Sequence, residues 1–460
     1  MSKTQQTINP TTEDVIDTYN LMTWEDAENV IEQTHQAFLG WRETTFQQRA
    51  EVLKKVASLI RERQDDYAAL MTREMGKTLK QGQQECQLCA AICDFTAEQG
   101  PKELADETRD MQGGKALVTY QPQGVIYGIQ PWNFPLYQVI RYSAACLMAG
   151  NGVLLKHAAN VWGMALEVEK LYRDAGLPEN TFRTLLIDHD VSDKVIAHKH
   201  VRGVSLTGSP GAGRAVAQEA GKALKKTVLE LGSNDAYIVL KDADIDQAVK
   251  ACVQGRVYNT GQTCVAAKRF IIEESVYDQF RDAFVAQMEK VSCGDPTKDD
   301  TGMGPMARKD LRDDLHEQVK QSVEAGAKCI LGGEIPEGKG YFYPATVLEN
   351  VAPGQQAYDD ELFGPVAALI KVKDEAEAMK VANDSIYGLG GGIFSRDEDR
   401  AIRLAREHFD TGMVNINGYQ LAQPNLPFGG VKESGYGREH GGFGLHEFVN
   451  VKAVMISGSK

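Results

Sequence analysis

Long apolar runs are missing from this sequence. No stretch approaches the roughly 18 consecutive apolar residues that a membrane-spanning helix needs. Basic charge is also short. Lys and Arg total 50 against 64 Asp and Glu, a formal charge of −14, which argues against nucleic acid or an anionic membrane as the main partner. Eight cysteines in 460 residues are too sparse for a disulfide scaffold. The opening from Met1 to Pro10 is polar and lacks the charged-then-apolar plan of a secretory leader. There is no internal repeat, low-complexity segment or clear Pro/Ser linker. Nine histidines show neither H-x-E nor H-E-x-x-H spacing, which leaves zinc hydrolysis little support. What is present is ordinary for a globular chain: 42% hydrophobic and 25% charged residues. At roughly 100–200 residues per domain, the length predicts two or three domains. A soluble, cytoplasmic enzyme is the expectation.

From Thr23 to about Gly100 the pattern is helical, opened by a capping-box-like Thr23-Trp-Glu-Asp26. Cys86, Cys89 and Cys93 fall on one helical face. They invite a metal or iron–sulfur reading, but no fourth ligand lies nearby and a buried apolar stripe explains them as well. After about Leu117, β-rich runs at 125–129, 152–156, 182–187 and 201–206 alternate with helix-length segments at 135–149, 162–175 and 210–223. A second set of strands is expected near 236–240, 270–273, 367–372 and 413–416. The alternation predicts two doubly wound α/β domains, divided near Glu230–Asp235.

Several residues in this frame are candidates for chemistry. The run Val201 to Gly213 carries a predicted strand through Thr207-Gly208-Ser209-Pro210 into a helix. Its free amides and helix N-terminus suit a pyrophosphate, with Gly208 allowing close approach; a plain strand–helix turn fits equally. The usual G-x-G-x-x-G fingerprint is absent. Lys156 ends another predicted strand, where a phosphate or ribose contact competes with a merely solvated lysine. Cys264, in Asn259-Thr-Gly-Gln-Thr-Cys264 with Lys268 and Arg269 close behind, is the best candidate nucleophile among the eight thiols. Asn133, in Trp132-Asn-Phe-Pro135, is either an oxyanion donor or a capping residue. Glu230 ends an apolar strand, as a working acid–base or a partnered carboxylate. In Glu361-Leu-Phe363-Gly-Pro365, a carboxylate for ribose hydroxyls sits beside an aromatic for a nicotinamide face.

Taken in order, Pro131-Trp-Asn-Phe-Pro135, Lys156, Thr207-Gly-Ser209, Leu229-Glu-Leu-Gly232, Gly261-Gln-Thr-Cys264, Glu361-Leu-Phe-Gly-Pro365 and Pro427-Phe-Gly-Gly-Val-Lys-Glu-Ser-Gly435 resemble the NAD(P)-dependent aldehyde dehydrogenase superfamily, from about Asn9 to the C-terminus. The resemblance implies a Rossmann-type cofactor domain (1–103 and 123–229), an α/β catalytic domain (230–440) and a small β oligomerisation arm (104–122 and 441–460) of a dimer or tetramer. It implies Cys264 as nucleophile, Asn133 with the Cys264 amide as oxyanion hole and Glu230 as the base for thioester hydrolysis. It implies NAD or NADP held by Trp132, Lys156, Gly208, Ser209, Gly213, Glu361 and Phe363. Ser233 stands where the family has a second glycine after Leu-Glu-Leu-Gly, which touches the backbone beside Glu230. Ala159 stands where NAD-preferring members often carry glutamate, which lowers the barrier to a 2′-phosphate.

The segment from Asn133 to Arg141 is similar to the succinate-semialdehyde dehydrogenase branch, where an arginine at the place of Arg141 receives the substrate's distal carboxylate. The branch's second arginine and serine are Tyr258 and about Gln423 here, and its second thiol is Ala266, so the match to its anionic pocket is partial. Another semialdehyde, an aliphatic aldehyde, or a cofactor-independent cysteine hydrolysis remain as alternatives.

Overall fold

The computed structural model describes residues 3–458. Two parallel sheets dominate. The first has six strands in the order Gly435–Tyr436, Lys226–Glu230, Val201–Thr207, Val125–Gln130, Gly152–His157, Phe182–Thr184. Its five longer-range strands run parallel, and Gly435–Tyr436 adds antiparallel to Lys226–Glu230. The second has seven, in the order Lys328–Leu331, Thr346–Glu349, Val366–Val372, Arg269–Glu273, Ala236–Val239, Gly391–Phe394, Asn415–Ile416. Only Lys328–Leu331 is antiparallel to its neighbour there. Parallel strands covered by helices on both faces read as continuous apolar runs, and Gly152–His157 and Ala236–Val239 are buried along their whole length.

The expected alternation is present, with residues 231–235 joining a strand of one sheet to a strand of the other. Thr23 does cap the Trp24–Trp41 helix through a capping box with Asp26, and Cys86, Cys89 and Cys93 are fully buried in the Leu79–Glu103 helix. No cluster of metal-ligating side chains occurs among the described residues. Three features depart from the reading of the sequence. The 182–187 run is strand only to Thr184, because Asp188 then turns the chain by capping the His189–Ala197 helix. Gly391–Phe394 is a buried strand absent from the expected set; a Cβ at Gly391 would meet the Phe409 ring at 2.5 Å, and one at Gly392 the Tyr237 ring at 2.5 Å. Finally, Gly435–Tyr436 crosses back to pair with Glu230 and Leu229, so the segment after residue 430 helps build the first sheet.

A separate three-stranded sheet pairs Val449–Ser457 with Gly114–Pro122, and that strand with Glu107–Met111. Val451 and Met455 are exposed on it, the latter at 74%. No helix among the described residues is long and apolar enough to cross a membrane.

Candidate active site

The two sheets present opposite ends to one cleft. From the first come loops at strand C-termini: 131–136 after Val125–Gln130, 208–209 after Val201–Thr207, and 231–233 after Lys226–Glu230. Such ends gather ligands in doubly wound sheets. From the second come loops that precede strands: Cys264 before Arg269–Glu273, and Glu361 to Phe363 before Val366–Val372. Between them lies a cavity of about 200 Å³ lined by Trp132, Asn133, Thr207, Gly208, Ser209, Gly232, Cys264, Leu311, Glu361 and Phe363 among others.

On the first-sheet side, Ser209 caps the Pro210–Lys222 helix by accepting the Ala212 N–H at 3.2 Å. A Cβ at Gly208 would meet nothing closer than 3.7 Å, so this turn is open to a ligand. Gly213 is different. A Cβ there would lie 2.5 Å from Leu231, so the glycine serves helix–strand packing, and it is absent from the cavity wall. Lys156 is only 8% exposed and has no hydrogen-bond or ion-pair partner among the described residues. Burial pulls its pKa down, offset by Asp188. A buried, unpaired cation at a strand end suits the ribose or phosphate oxygens of a dinucleotide. Next to it, burial lowers the His157 pKa to about 4; in the neutral ring Nδ1 accepts the Ala158 N–H (3.0 Å) and Nε2–H donates to the Pro135 carbonyl (2.9 Å). The ring ties the Pro135 end of the loop that carries Trp132 and Asn133 to the strand end at Ala158. Trp132 meets Phe363 edge-on across the cavity, centroids 5.9 Å apart.

The nucleophile loop follows the Ile245–Val257 helix through three consecutive left-handed residues: Asn259 (φ 54°), Thr260 (φ 56°) and Gly261 (φ 72°). A β-branched residue there is strained, and it is held by bonds on every side. Asn259 Nδ2 donates to the Asn133 carbonyl (2.9 Å) and the Gln262 carbonyl (3.2 Å), Thr260 Oγ1 to Gly304 O (3.1 Å), and the fully buried Arg256 to Gly261 O (2.8 Å). Asn133 Nδ2 also donates to Gln262 O (3.1 Å) while its Oδ1 accepts from Gln138 (3.3 Å). The oxyanion candidate and the nucleophile loop are thus one hydrogen-bonded unit. Burial pushes the Cys264 thiol up to about 12, against the pull of Arg141 and Lys268.

Glu230 is 2% exposed, and neither carboxylate oxygen has a hydrogen-bond partner. It stands opposite Thr207 in the strand register, behind the cavity wall. Burial raises its pKa well above the carboxylate range, opposed by Arg141 and reinforced by Glu439. Gly429 explains part of the Pro427-Phe-Gly-Gly motif, since a Cβ there would lie 2.8 Å from Glu230 Oε1. Ser233 fits its buried position: its hydroxyl donates to Asp235 and accepts from Leu389 N at 3.4 Å. Its φ is not positive, so no second glycine is required there.

Arg141 corrects the expectation set for it. The side chain is buried, 3% exposed, and its guanidinium pairs with Glu439, donates to Thr207 Oγ1 (2.8 Å) and lies over the rings of Phe428 (4.7 Å) and Tyr137 (5.1 Å). It lines neither the cleft nor the neighbouring mouth. With its charge already met by Glu439, it is not free to take a substrate carboxylate. That mouth, about 340 Å³, is walled by Gln84, Leu88, Phe134, Gln254, Tyr258 and Gln420 among others, so the consecutive Asn133 and Phe134 line the two cavities. Tyr258 stacks on Phe134 there, and Gln423 reaches the wall only through a bond to Gln420. Glu439, Asn259 and Lys268 were not singled out as site residues from the sequence. Only Lys268 gave a signal, as a cation four positions after the thiol.

Comparison with protein families matches residues 1–454 to the aldehyde dehydrogenase family. This chain belongs to that family. Among curated members, it is 45% identical over 447 residues to the succinate semialdehyde dehydrogenase [NAD(P)+] Sad of Escherichia coli K12, covering 97% of this chain and 96% of the relative. It is 44% identical over 454 residues to the succinate-semialdehyde dehydrogenase [NADP(+)] of Deinococcus radiodurans, covering 99% and 95%. The crystal structure of succinic semialdehyde dehydrogenase from Streptococcus pyogenes with NADP+ superposes with a TM-score of 0.97 at 39% identity, covering 99% of this chain and all of that one. The Cys264 thiol and the Asn133 amide line this cleft, and the Glu230 carboxylate lies behind its wall.

Proposed function

We propose that this aldehyde dehydrogenase oxidises succinate semialdehyde to succinate with NAD or NADP. The observation that carries the proposal is that Cys264 and Asn133 line one cleft with the unpartnered Glu230 behind its wall, in a chain about 45% identical to a succinate semialdehyde dehydrogenase over nearly its whole length.

Cys264 Sγ attacks the aldehyde carbon, and the carbonyl oxygen takes up charge within reach of Asn133 Nδ2 and the Cys264 N–H. The bound nicotinamide supplies the hydride acceptor. Trp132, Glu361 and Phe363 would hold the nicotinamide end, Gly208 and Ser209 the pyrophosphate, and Lys156 the adenosine ribose, with Ala159 setting no carboxylate against a 2′-phosphate. Loss of hydride leaves a thioester on Cys264. Glu230, whose pKa burial raises well above the ordinary carboxylate range, draws a proton from the attacking water in its ionised form. The mouth beside Phe134 is the aldehyde's entrance, where Gln84, Gln254, Tyr258 and Gln420 offer amide and hydroxyl donors to a distal carboxylate. Arg141 contributes from behind, through Thr207 and Glu439.

The exposed Val451 and Met455 on an open-edged sheet support assembly into a homo-oligomer, dimer or tetramer. Eight free cysteines suit a reducing cytoplasm. The deciding experiment compares succinate semialdehyde with butyraldehyde by formation of reduced nicotinamide. A preference of at least about tenfold in kcat/KM for the charged substrate is expected. Equal rates would retire the carboxylate part of the reading, and inactivity of both with either cofactor would retire the substrate class.

A further inference from the structure

Lys268 is buried at 2% exposure, and its ammonium makes three contacts. Nζ lies 2.6 Å from the Cys264 carbonyl, 3.2 Å from the Thr263 carbonyl and 3.1 Å from Glu361 Oε1. An ammonium has three hydrogens to donate; two go to the carbonyls, and the carboxylate is met as an ion pair. The partners are not an arbitrary selection. Two are the carbonyls on either side of the nucleophile, and the third belongs to a side chain in the wall of the cofactor cleft. The Thr263 carbonyl and the Cys264 N–H are the two ends of one peptide unit. No acceptor takes that N–H among the described residues. A cation drawing on the oxygen of a peptide strengthens its N–H as a donor. Room for the Glu361 carboxylate comes from Gly232, where a Cβ would lie 2.5 Å from Oε2.

We propose that Lys268 is a positioning residue that polarises the Thr263–Cys264 peptide toward the oxyanion and ties the nucleophile loop to the cofactor side of the cleft through Glu361. The proposal rests on the reading of Cys264 as the nucleophile and Glu361 as a cofactor contact. It goes beyond that reading by giving the loop a charged anchor, so that a ligand engaging Glu361 acts on the same ammonium that holds the Cys264 backbone. The charged groups that face the thiol are Arg141 and Lys268 on one side of the balance and Glu361 and Asp235 on the other. Arg141 is committed to Glu439, while the backbone N–H of Lys268 donates to Asp235 O at 3.2 Å.

The test uses the full chain with Lys268→Met, which keeps the length and removes the charge, and Lys268→Gln, which keeps one amide donor. The pH dependence of alkylation by iodoacetamide is followed at the Cys264 peptide by mass, and kcat is expressed per reactive thiol. For the methionine variant the alkylation inflection is expected to rise by about one pH unit, with kcat per thiol down at least about tenfold. KM for the aldehyde should stay within about twofold, since substrate binding at the mouth is untouched. The glutamine variant should fall between methionine and wild type. An unmoved inflection together with an unchanged kcat per thiol would overturn the proposal. If neither variant folds, Glu361→Gln with Lys268 in place decides: losing the facing carboxylate should lower the inflection, and a rise or no change overturns the link. Inactivation without labelling of Cys264 would count against the nucleophile itself. Labelling there that is indifferent to Lys268 removes only the lysine's role.

Discussion

The two walls of the cleft are built in opposite ways. On the first-sheet side the groups are left without partners: Glu230, behind the wall, has two carboxylate oxygens without a hydrogen bond, Lys156, outside the cavity lining, has no counter-ion, and Gly208 faces open space. On the second-sheet wall the donors that hold the loop backbone are committed, while Arg256 Nε and Nη1 and Asn259 Oδ1 carry no bond of their own. Asn259, Thr260, Arg256 and Lys268 each spend donors on the carbonyls of the loop and its neighbours. The contrast follows from the two tasks. Unpaired buried polar groups are costly and persist where a ligand or a proton is to be received. A nucleophile that must meet a carbon within a fraction of an ångström needs a backbone that cannot drift.

The largest effects should come from removing the groups that define each wall. Cys264→Ala is expected to cut turnover at least about a thousandfold. Glu230→Gln should release one burst of reduced nicotinamide per site and then run at about 1% of wild type or less, because the base for the second half-reaction is gone. Stopped-flow absorbance separates the two, and steady turnover in either variant would break the division of labour between the walls.

A change in the committed wall should act on rigidity as well as chemistry. Gly261→Ala places a methyl 2.3 Å from Gly364 O at a φ of +72°. A loss of about 2–3 kcal/mol is expected, read as a lower Tm with slower Cys264 alkylation. An unchanged Tm would mean that the loop has slack the geometry does not show.

The pH profile sharpens the comparison from the open side. Glu230 is held protonated above the usual carboxylate range by burial and by Glu439, against Arg141. Thioester hydrolysis should therefore rise with pH through an inflection above that range. Glu439→Gln removes a like charge and leaves Arg141 without its counter-ion, so the inflection should fall by about one unit or more. A rise would reverse the assigned balance. The smallest effect is expected from Ala159→Glu, which should turn cofactor preference toward NAD by about tenfold through repulsion of a 2′-phosphate. The ratio of kcat/KM for the two cofactors measures it.

Much of the open wall was legible in the sequence, because its groups lie in short contiguous motifs at predicted strand ends. Thr207-Gly-Ser209, Lys156 and Glu230 fall where the alternating pattern places the receiving edge of a doubly wound sheet. The committed wall was legible only as the thiol and its neighbours. Its anchors come from positions distant in sequence, such as Gly304 and Glu361, and the left-handed turn at Asn259 and Thr260 has no glycine signal of its own. Gly391–Phe394 escaped for a related reason: its glycines leave room for the Phe409 and Tyr237 rings, a fact of packing that a local pattern does not carry.

Arg141 marks the boundary most clearly. Its residue type and its place after Trp132-Asn-Phe-Pro135 pointed to a carboxylate, and a carboxylate is what it holds. Which carboxylate depended on a crossing far along the chain, where Gly435–Tyr436 pairs with the Glu230 strand and brings Glu439 alongside. The sequence by itself determined the alternating α/β plan and the family, and it named the thiol, the amide and the carboxylate as candidates, since each is written in local pattern or a short motif. Only the tertiary structure decided which charges are free and which are already spent, because pairing across a buried interface depends on long-range packing that no local pattern encodes.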